Sequence, residues 1–476
     1  FVSDEVIPII EKHNREATFP IQLVPKMAEL GLLGNTLPEK YGCANLNYTS
    51  YGLITQELER GDSGIRSFVS VQSSLVMYPI FCFGSEEQKD YWLPLLASGE
   101  KIGCYGLTEP DYGSNPSGMI TKANRVDGGF ILNGAKMWIT NGTIADVAVV
   151  WAKLDGKVNG FVVEKGMPGF FVGELEDMCG MRANPVSSLF FEDVRVPQSH
   201  LLGQPGDGLK IGLITLDTGR IGVGAQALGV AQAAFEAAVK YSKERQQFRK
   251  PISSFQTIQN YLADMATQID AARLLLYRAC TSKDAGQPFG AEAAMAKLHC
   301  STTATHVTNL ALQIHGGYGY SKEYDVERYF RDAKVTEIYE GTSEVQRIII
   351  SRDLQRKGQR RVLRLRQQRL GQRCSAELRW TLLQRQLRRL LHDPARGADL
   401  REYFPGEEAG GGHLPPVEVP VLVGHAAGGE LIQRHGGVPG QEPLVLLPPV
   451  RLVAELIVVS RRGDHHIVEV REGQDR

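Results

Sequence analysis

The sequence predicts an α+β protein with a β domain set between two helical ones, and three observations carry that prediction. Residues 1 to 100 are written in helix-forming text. From 101 to 207 the chain breaks into short apolar runs separated by Gly-rich turns, and from 208 to 357 long Ala- and Leu-rich segments return with a 3.6-residue period. At 476 residues and 42% hydrophobic, the chain can bury a core large enough for more than one domain. A formal net charge of −1 gives no reason to expect nucleic acid as a partner.

The first segment opens at Phe1 without a Met and already in helical text, so its start is expected to be truncated and any targeting segment lost. Within it, Ser85-Glu86-Glu87-Gln88 matches a capping box ahead of Tyr91-Trp92-Leu93. In the second segment, Val126 to Leu132 reads as a hairpin around a Gly128-Gly129 turn, while Asp146 to Trp151 and Ser188 to Phe191 read as further strands. The third segment, exemplified by Gly229 to Ala238, predicts a helical bundle. The cysteines at 43, 82, 104, 179, 280, 300 and 374 are odd in number and lack zinc-like spacing, so a reducing compartment and no metal are expected. No apolar run approaches the ~20 residues of a membrane span.

Residues 358–476 form a tail in which composition breaks: no Lys, Asn or Met occurs, and Arg, Gly, Pro and Leu dominate. It reads either as an extra segment opening with an Arg/Gln/Leu helix from Arg360 to Leu391, or as translation of a shifted frame, and no function is assigned to it.

The most chemical text lies at Val335 to Arg347, where Glu340 sits between Tyr339 and Gly341-Thr342. A carboxylate there suits a general base held where a loop meets a helix and water is scarce. The loop Gly103 to Pro116 is dense in Gly, Ser and Thr, able to offer backbone N–H groups and hydroxyls to a heterocycle or a phosphate, or to serve as an ordinary turn. Trp138 and Thr140, two apart on a strand, would share a face on which a ring could stack, unless Trp138 is simply core. Arg245 to Gln256 interrupts helical text with an Arg suited to phosphate or to a solvated helix end. Gln313 to Tyr320 ends a helix in glycines, either as a C-cap or to let a ligand approach the backbone, and the lone His315 reads as structural.

Taken together, these runs resemble the acyl-CoA dehydrogenases over residues 1 to 356. The resemblance rests on Leu107-Thr108-Glu109-Pro110 with Gly113-Ser114, on Trp138-Ile139-Thr140-Asn141, and on Arg245 through Gln256. Gln313 through Gly319 with Arg328 and Asp332, and Tyr339-Glu340-Gly341-Thr342, complete it. It implies a helical N-terminal domain, a β-barrel-like middle domain and a C-terminal helical bundle. It also implies FAD as cofactor, an acyl-CoA substrate, a homotetramer, and an electron-transferring flavoprotein as partner, as in fatty-acid and amino-acid catabolism. By the same resemblance Leu107 and Thr108 meet the flavin's pyrimidine edge, Ser114 the pyrophosphate side, and Trp138 and Thr140 the ring near N5. Arg245, Phe248, Gln256, Gln313, Gly316 and Gly317 hold the ADP half across a subunit interface, and Thr342 touches the cofactor. Glu340 becomes the catalytic base, with Ser114, Tyr339 and Gly341 beside the substrate. Two residues depart from the family pattern: Asn115 where an acid is usual and Arg249 where Gly is usual.

For the substrate, Arg66 and Ser70 stand at i and i+4, so on a helix both could converge on a carboxylate at the far end of an acyl chain. The residues alone favour an exposed Arg66 paired with Glu59 or Asp62. The stretch Glu57 to Met77 resembles glutaryl-CoA dehydrogenase, in which the Arg and Ser bind the distal carboxylate with Glu59 beside them. Residues 168 to 350 resemble the general short-chain members instead. A glutaryl-CoA enzyme is therefore expected, with loss of carbon dioxide to give crotonyl-CoA left open. A short-chain monocarboxylic acyl-CoA dehydrogenase is the alternative, ahead of a non-catalytic assembly protein or an acyl-CoA oxidase. The compartment stays open between a bacterial cytoplasm and a mitochondrial matrix.

Overall fold

The computed structural model describes residues 1–357 and three strands further on, within two compact units, Phe1–Leu370 and Gly371–Arg476. The first unit opens with helices α1 (Ile7–Glu16), α2 (Val24–Glu29), α3 (Tyr48–Gly61), α4 (Ser63–Ser70), α5 (Tyr78–Phe83) and α6 (Glu86–Ala97). Each start has a local cause. Asn47 Oδ1 accepts the Ser50 N–H at 2.8 Å ahead of α3, and the box at Ser85 and Gln88 closes with bonds of 3.1 and 3.2 Å ahead of α6. Between α3 and α4 the chain turns through a single extended residue, Asp62, whose Oδ1 accepts the N–H groups of Gly64 at 2.7 Å and Ile65 at 3.1 Å. After Ser70 the helix runs on as a buried π-helical turn, Val71–Met77.

The middle segment is one eight-stranded sheet: β1 (Gly103–Gly106), β2 (Lys122–Val126), β3 (Gly129–Thr140), β4 (Val147–Leu154), β5 (Lys157–Glu164), β6 (Phe170–Leu175), β7 (Val186–Pro197) and β8 (Leu201–Leu202). Its path runs β6-β7-β3-β2-β4-β5-β8, with β1 parallel to β4. The hairpin turn is Asp127-Gly128 rather than the expected Gly-Gly pair: Gly128 takes φ 75°, and Gly129 already pairs with Val126 and Pro197 as the first residue of β3. Gly129 is needed there because a Cβ would fall 2.1 Å from the Val196 carbonyl oxygen.

Three long helices follow, α7 (Gly208–Glu244), α8 (Gln256–Asp284) and α9 (Gly290–His315), with the two-residue strands β9 (Gln246–Gln247) and β10 (Lys250–Pro251) between the first two. Leu228, Leu276 and a run of buried alanines make their shared core, and each leucine so buried contributes about 1.5–3 kcal/mol. The unit closes with α10 (Val326–Val335) and helix α11 over residues 343–357. The second unit contains an antiparallel sheet of β11 (Val419–Gly424), β12 (Leu452–Arg462) and β13 (His465–Glu472). The helix expected over 360–391 lies outside the described residues. No described helix is long and apolar enough to cross a membrane.

Candidate active site

Glu340 lies in the short connection between α10 and α11, where it takes φ 51° and Gly341 φ 95°. A non-glycine residue in the left-handed region is strained and persists only when its surroundings hold it. Here Lys297 Nζ on α9 donates to the Gly341 carbonyl at 2.8 Å, and Gln346 Nε2 donates to the same oxygen at 2.7 Å and to that of Glu340 at 3.4 Å. Thr342 caps α11, its Oγ1 accepting the Val345 N–H at 3.4 Å. Glu340 as a residue is only half-buried, yet its Oε2 is buried with no hydrogen-bond partner among the described residues. That oxygen rests against α7 at Gly219, where a Cβ would fall 2.0 Å from it. Burial pushes the Glu340 carboxyl above its ordinary value, against the opposing pull of Arg66, Arg220 and Lys297. A carboxylate that is basic, apolar on one side and unsatisfied is equipped to take a weakly acidic proton.

Arg66 is not exposed, as the residues alone favoured, but buried with 2% of its surface accessible. Its Nε donates to Glu59 Oε2 at 3.2 Å and one terminal nitrogen to the Tyr339 hydroxyl at 2.7 Å; Tyr339 in turn donates to Gln226 Oε1 on α7. The other terminal nitrogen, Nη1, makes no hydrogen bond among the described residues. Glu59 is buried too, and burial pushes its carboxyl up while Arg66 and the Ser63 hydroxyl at 2.5 Å hold it down. Asp62 does not pair with Arg66, because it caps α4 and bonds Arg328 of α10 at 3.1 Å. Ser70, one turn along from Arg66, bonds the Tyr51 hydroxyl at 3.1 Å, which also accepts from Ser74 at 3.0 Å. The wall opposite is again a glycine, Gly222, where a Cβ would meet Tyr51 Oη at 2.6 Å.

On the sheet side, a buried ion pair organises the loop after β1. Lys136 Nζ bonds Glu109 Oε1 at 2.8 Å and the Leu107 carbonyl at 3.2 Å, and the Met137 N–H bonds the Thr108 carbonyl at 2.9 Å. Glu109 also accepts the N–H groups of Ile120 at 2.6 Å and Thr121 at 3.0 Å. Leu107 and Thr108 are thereby fixed beside β3, which carries Trp138 and Thr140. Strict alternation fails there because of a bulge between Lys136 and Ile139 that puts Trp138 at φ 62°. Ile139 is buried and Trp138 is 50% exposed, an unusual state for so large an apolar ring and not the core position the residues left open. Thr140 accepts from Asn184 at 3.4 Å. Ser114 is exposed, and Asn115 Oδ1 takes a bond from Ser117 at 2.7 Å, an acceptor's task that an acid would also perform.

A separate cleft of about 550 Å³ opens near the ends of α7 and α9, and Arg245, Gly316 and Gly317 line it. Both glycines leave open space where a Cβ would stand, and Gly316 takes φ 61°. Arg245 lies 5.3 Å over the Tyr318 ring. Gln256, Gln313 and Phe248 are exposed and stand outside that lining. His315 is structural: its ring stacks on Tyr241 at 4.1 Å and its Nδ1 pairs with the Ala311 carbonyl at 2.8 Å. Arg249 follows Phe248 at φ 64°, a left-handed position that explains why glycine suits it.

Sequence reasoning missed Gly219, Gln226, Lys297 and Tyr51. Of these only Lys297, a lone charge inside Ala-Ala-Met-Ala-Lys-Leu-His-Cys, carries a signal.

This fold and site define a class. Family models for the acyl-CoA dehydrogenase N-terminal, middle and C-terminal domains match residues 1–100, 104–194 and 206–355. The chain belongs to the acyl-CoA dehydrogenases, an FAD-dependent family of oxidoreductases. Among relatives, the rat mitochondrial short-chain specific acyl-CoA dehydrogenase is 45% identical over 361 residues, covering 75% of this chain and 88% of that protein. A chain solved in work on the electron transferring flavoprotein of Acidaminococcus fermentans aligns with TM-score 0.73 and 46% identity, covering 74% of this chain and 94% of that one. The glutaryl-CoA dehydrogenase of Mycobacterium smegmatis, solved in complex with FADH2, aligns with TM-score 0.73 and 42% identity, covering 74% and 91%.

Proposed function

We propose that this acyl-CoA dehydrogenase acts on a dicarboxylyl-CoA, glutaryl-CoA first among them, with Glu340 taking the α-proton. The observation that supports the substrate class is Arg66: a buried guanidinium with a donor to spare, bonded to the residue next to Glu340. A buried cation is retained where it has a partner, and a planar guanidinium is well shaped for a carboxylate at the far end of a short acyl chain. Ser70 and Glu59 flank it, the first as a donor and the second as the group that orients Nε.

Glu340 is suited to its role by the buried Oε2, which makes the carboxylate a stronger base than one in water. Its own backbone N–H would donate to the thioester oxygen as negative charge develops there, with Tyr339, Gly341 and Ser114 also beside the substrate. FAD, when bound, supplies the acceptor for the hydride that leaves the β-carbon. The residues fit that group: Leu107 and Thr108 are held beside β3, which carries the exposed Trp138 and the half-buried Thr140, and the glycines at 316 and 317 leave room for close approach. On this reading Ser114 and Thr342 touch the cofactor, and Arg245, Phe248, Gln256, Gln313, Gly316 and Gly317 hold the ADP half of a neighbouring subunit's FAD in a homotetramer. Electrons then pass to an electron-transferring flavoprotein, a partner in keeping with the Acidaminococcus alignment.

A second reading, a short-chain monocarboxylic enzyme, draws on the 45% identity to the rat short-chain protein; on it, the bonds among Glu59, Arg66, Tyr339 and Gln226 serve to hold the wall of the site rather than a substrate carboxylate. Anaerobic addition of glutaryl-CoA and of butyryl-CoA to the full FAD-loaded chain separates the two. Faster bleaching by glutaryl-CoA, with that preference lost in Arg66→Ala and all bleaching lost in Glu340→Gln, is expected. Equal rates for the two thioesters, or an unchanged preference in Arg66→Ala, would sink the dicarboxylate reading.

A further inference from the structure

We infer that Lys297 is a positioning residue for Glu340: from α9 it clamps the turn that carries the carboxylate and supplies the neighbouring cation that no acid side chain pairs with among the described residues. The inference rests on Glu340 as the base.

Lys297 exposes none of its surface and is set among Ala293, Ala294, Ala296 and Cys300, all equally buried. Placing an ammonium in such surroundings is costly, and burial pushes it down to about 8. The position therefore gains something from the charge or from the bond it makes. The bond is to the Gly341 carbonyl at 2.8 Å, directly after Glu340, in a turn where two successive residues take positive φ. Without a donor there, that carbonyl would keep only Gln346 Nε2, and the left-handed pair would be held from one side.

The charge matters for a second reason. Three cations bear on Glu340, each from a different helix: Arg66 on α4, Arg220 on α7 and Lys297 on α9. Arg66 is engaged with Glu59 at 3.2 Å, and Arg220 is engaged with Asp217. Lys297 has no carboxylate within ion-pair distance among the described residues; Glu340, Glu337 and Glu344 act on it only at longer range. Burial pushes the phenols of Tyr105 on β1 and of Tyr339, the other titratable groups that act on Glu340, well up, so both stay neutral. A dicarboxylyl substrate would draw further on Arg66. Lys297, bonded to the turn itself, is then the one of the three cations with no carboxylate of its own among the described residues, and it adds to the pull of Arg66 and Arg220 that favours an ionised Glu340; a base that is protonated early cannot act.

The test uses the full FAD-loaded chain and follows the rate of flavin bleaching by glutaryl-CoA and by butyryl-CoA from pH 5.5 to 9, in Lys297→Met, Lys297→Gln and Lys297→Arg. Lys297→Met is expected to move the acid limb up by about one pH unit, so that a loss of about 10-fold near pH 6 shrinks to a few-fold near pH 9. Lys297→Gln keeps a donor without the charge and is expected to shift the limb likewise, while Lys297→Arg returns it toward the parent position. The visible flavin spectrum of each variant reports whether the fold is intact, and if Lys297→Met loses it, Lys297→Gln carries the comparison. Losses equal at every pH, or an unshifted limb in both neutral variants, would overturn the inference. Persistent bleaching in Glu340→Gln would instead overturn the base itself.

Discussion

The carboxylate of Glu340 occupies the space a side chain would take at Gly219: a Cβ there would lie 2.0 Å from Oε2. Gly219 sits well inside the 37-residue helix α7, where glycine is a poor helix former and alanine would be better by about 1 kcal/mol. The glycine is therefore explained by what it lets in.

Gly219→Ala should displace the carboxylate while leaving the helix as stable or more so. We expect thermal unfolding at or above the parent temperature together with a loss of flavin bleaching by acyl-CoA of about 100-fold, the scale on which misplacement of a reacting group by an ångström acts. Normal bleaching in a well-folded Gly219→Ala would show that the place of the Glu340 carboxylate against Gly219 does not matter to the reaction.

The pair Glu109–Lys136 should matter more to stability than any exposed ion pair, since both side chains have 1% or less of their surface accessible. Lys136→Met strands a buried carboxylate and frees the Leu107 carbonyl, at a cost of about 3–5 kcal/mol. Urea unfolding would register that loss. Retention of FAD should weaken with it, because the same lysine holds the Leu107-Thr108 segment against β3.

Arg249→Gly should stabilise. The position has φ 64° and is exposed, so glycine removes about 1 kcal/mol of left-handed strain and gives back part of it as chain entropy. A net gain of about 0.5 kcal/mol, read from the denaturation midpoint, is the expected result. A loss would mean that the guanidinium makes a contact of its own.

Much of this site was legible in the sequence because its signals are local. Tyr339-Glu340-Gly341-Thr342 reads as a loop running into a helix, and the glycines after His315 read as the end of one. The alternation expected at Trp138 and Thr140 is broken by a bulge that could not be read locally, since it arises from pairing with the distant strand β7. Arg66 shows where local reading stops. Glu59 was one of its two candidate partners, but burial depends on Tyr339 and Gln226, which arrive from 273 and 160 residues further along the chain. Gly219 is invisible for a plainer reason: it lies in Gly-Arg-Ile-Gly-Val-Gly-Ala, where several glycines follow one another and nothing in their order says which one faces the carboxylate.

The Asp62–Arg328 bond and the Arg66–Tyr339 bond join the same two stretches of chain, Asp62 to Arg66 and Arg328 to Tyr339, at opposite ends. They make a calliper whose jaws are the Arg66 guanidinium and the Glu340 carboxylate. Neither jaw can slide without breaking a buried bond, so the gap between them is a fixed gauge. The facing wall of α7 cannot be pared back to widen it, because Gly219 and Gly222 already carry no side chain and any substitution there can only narrow the space between the two arms.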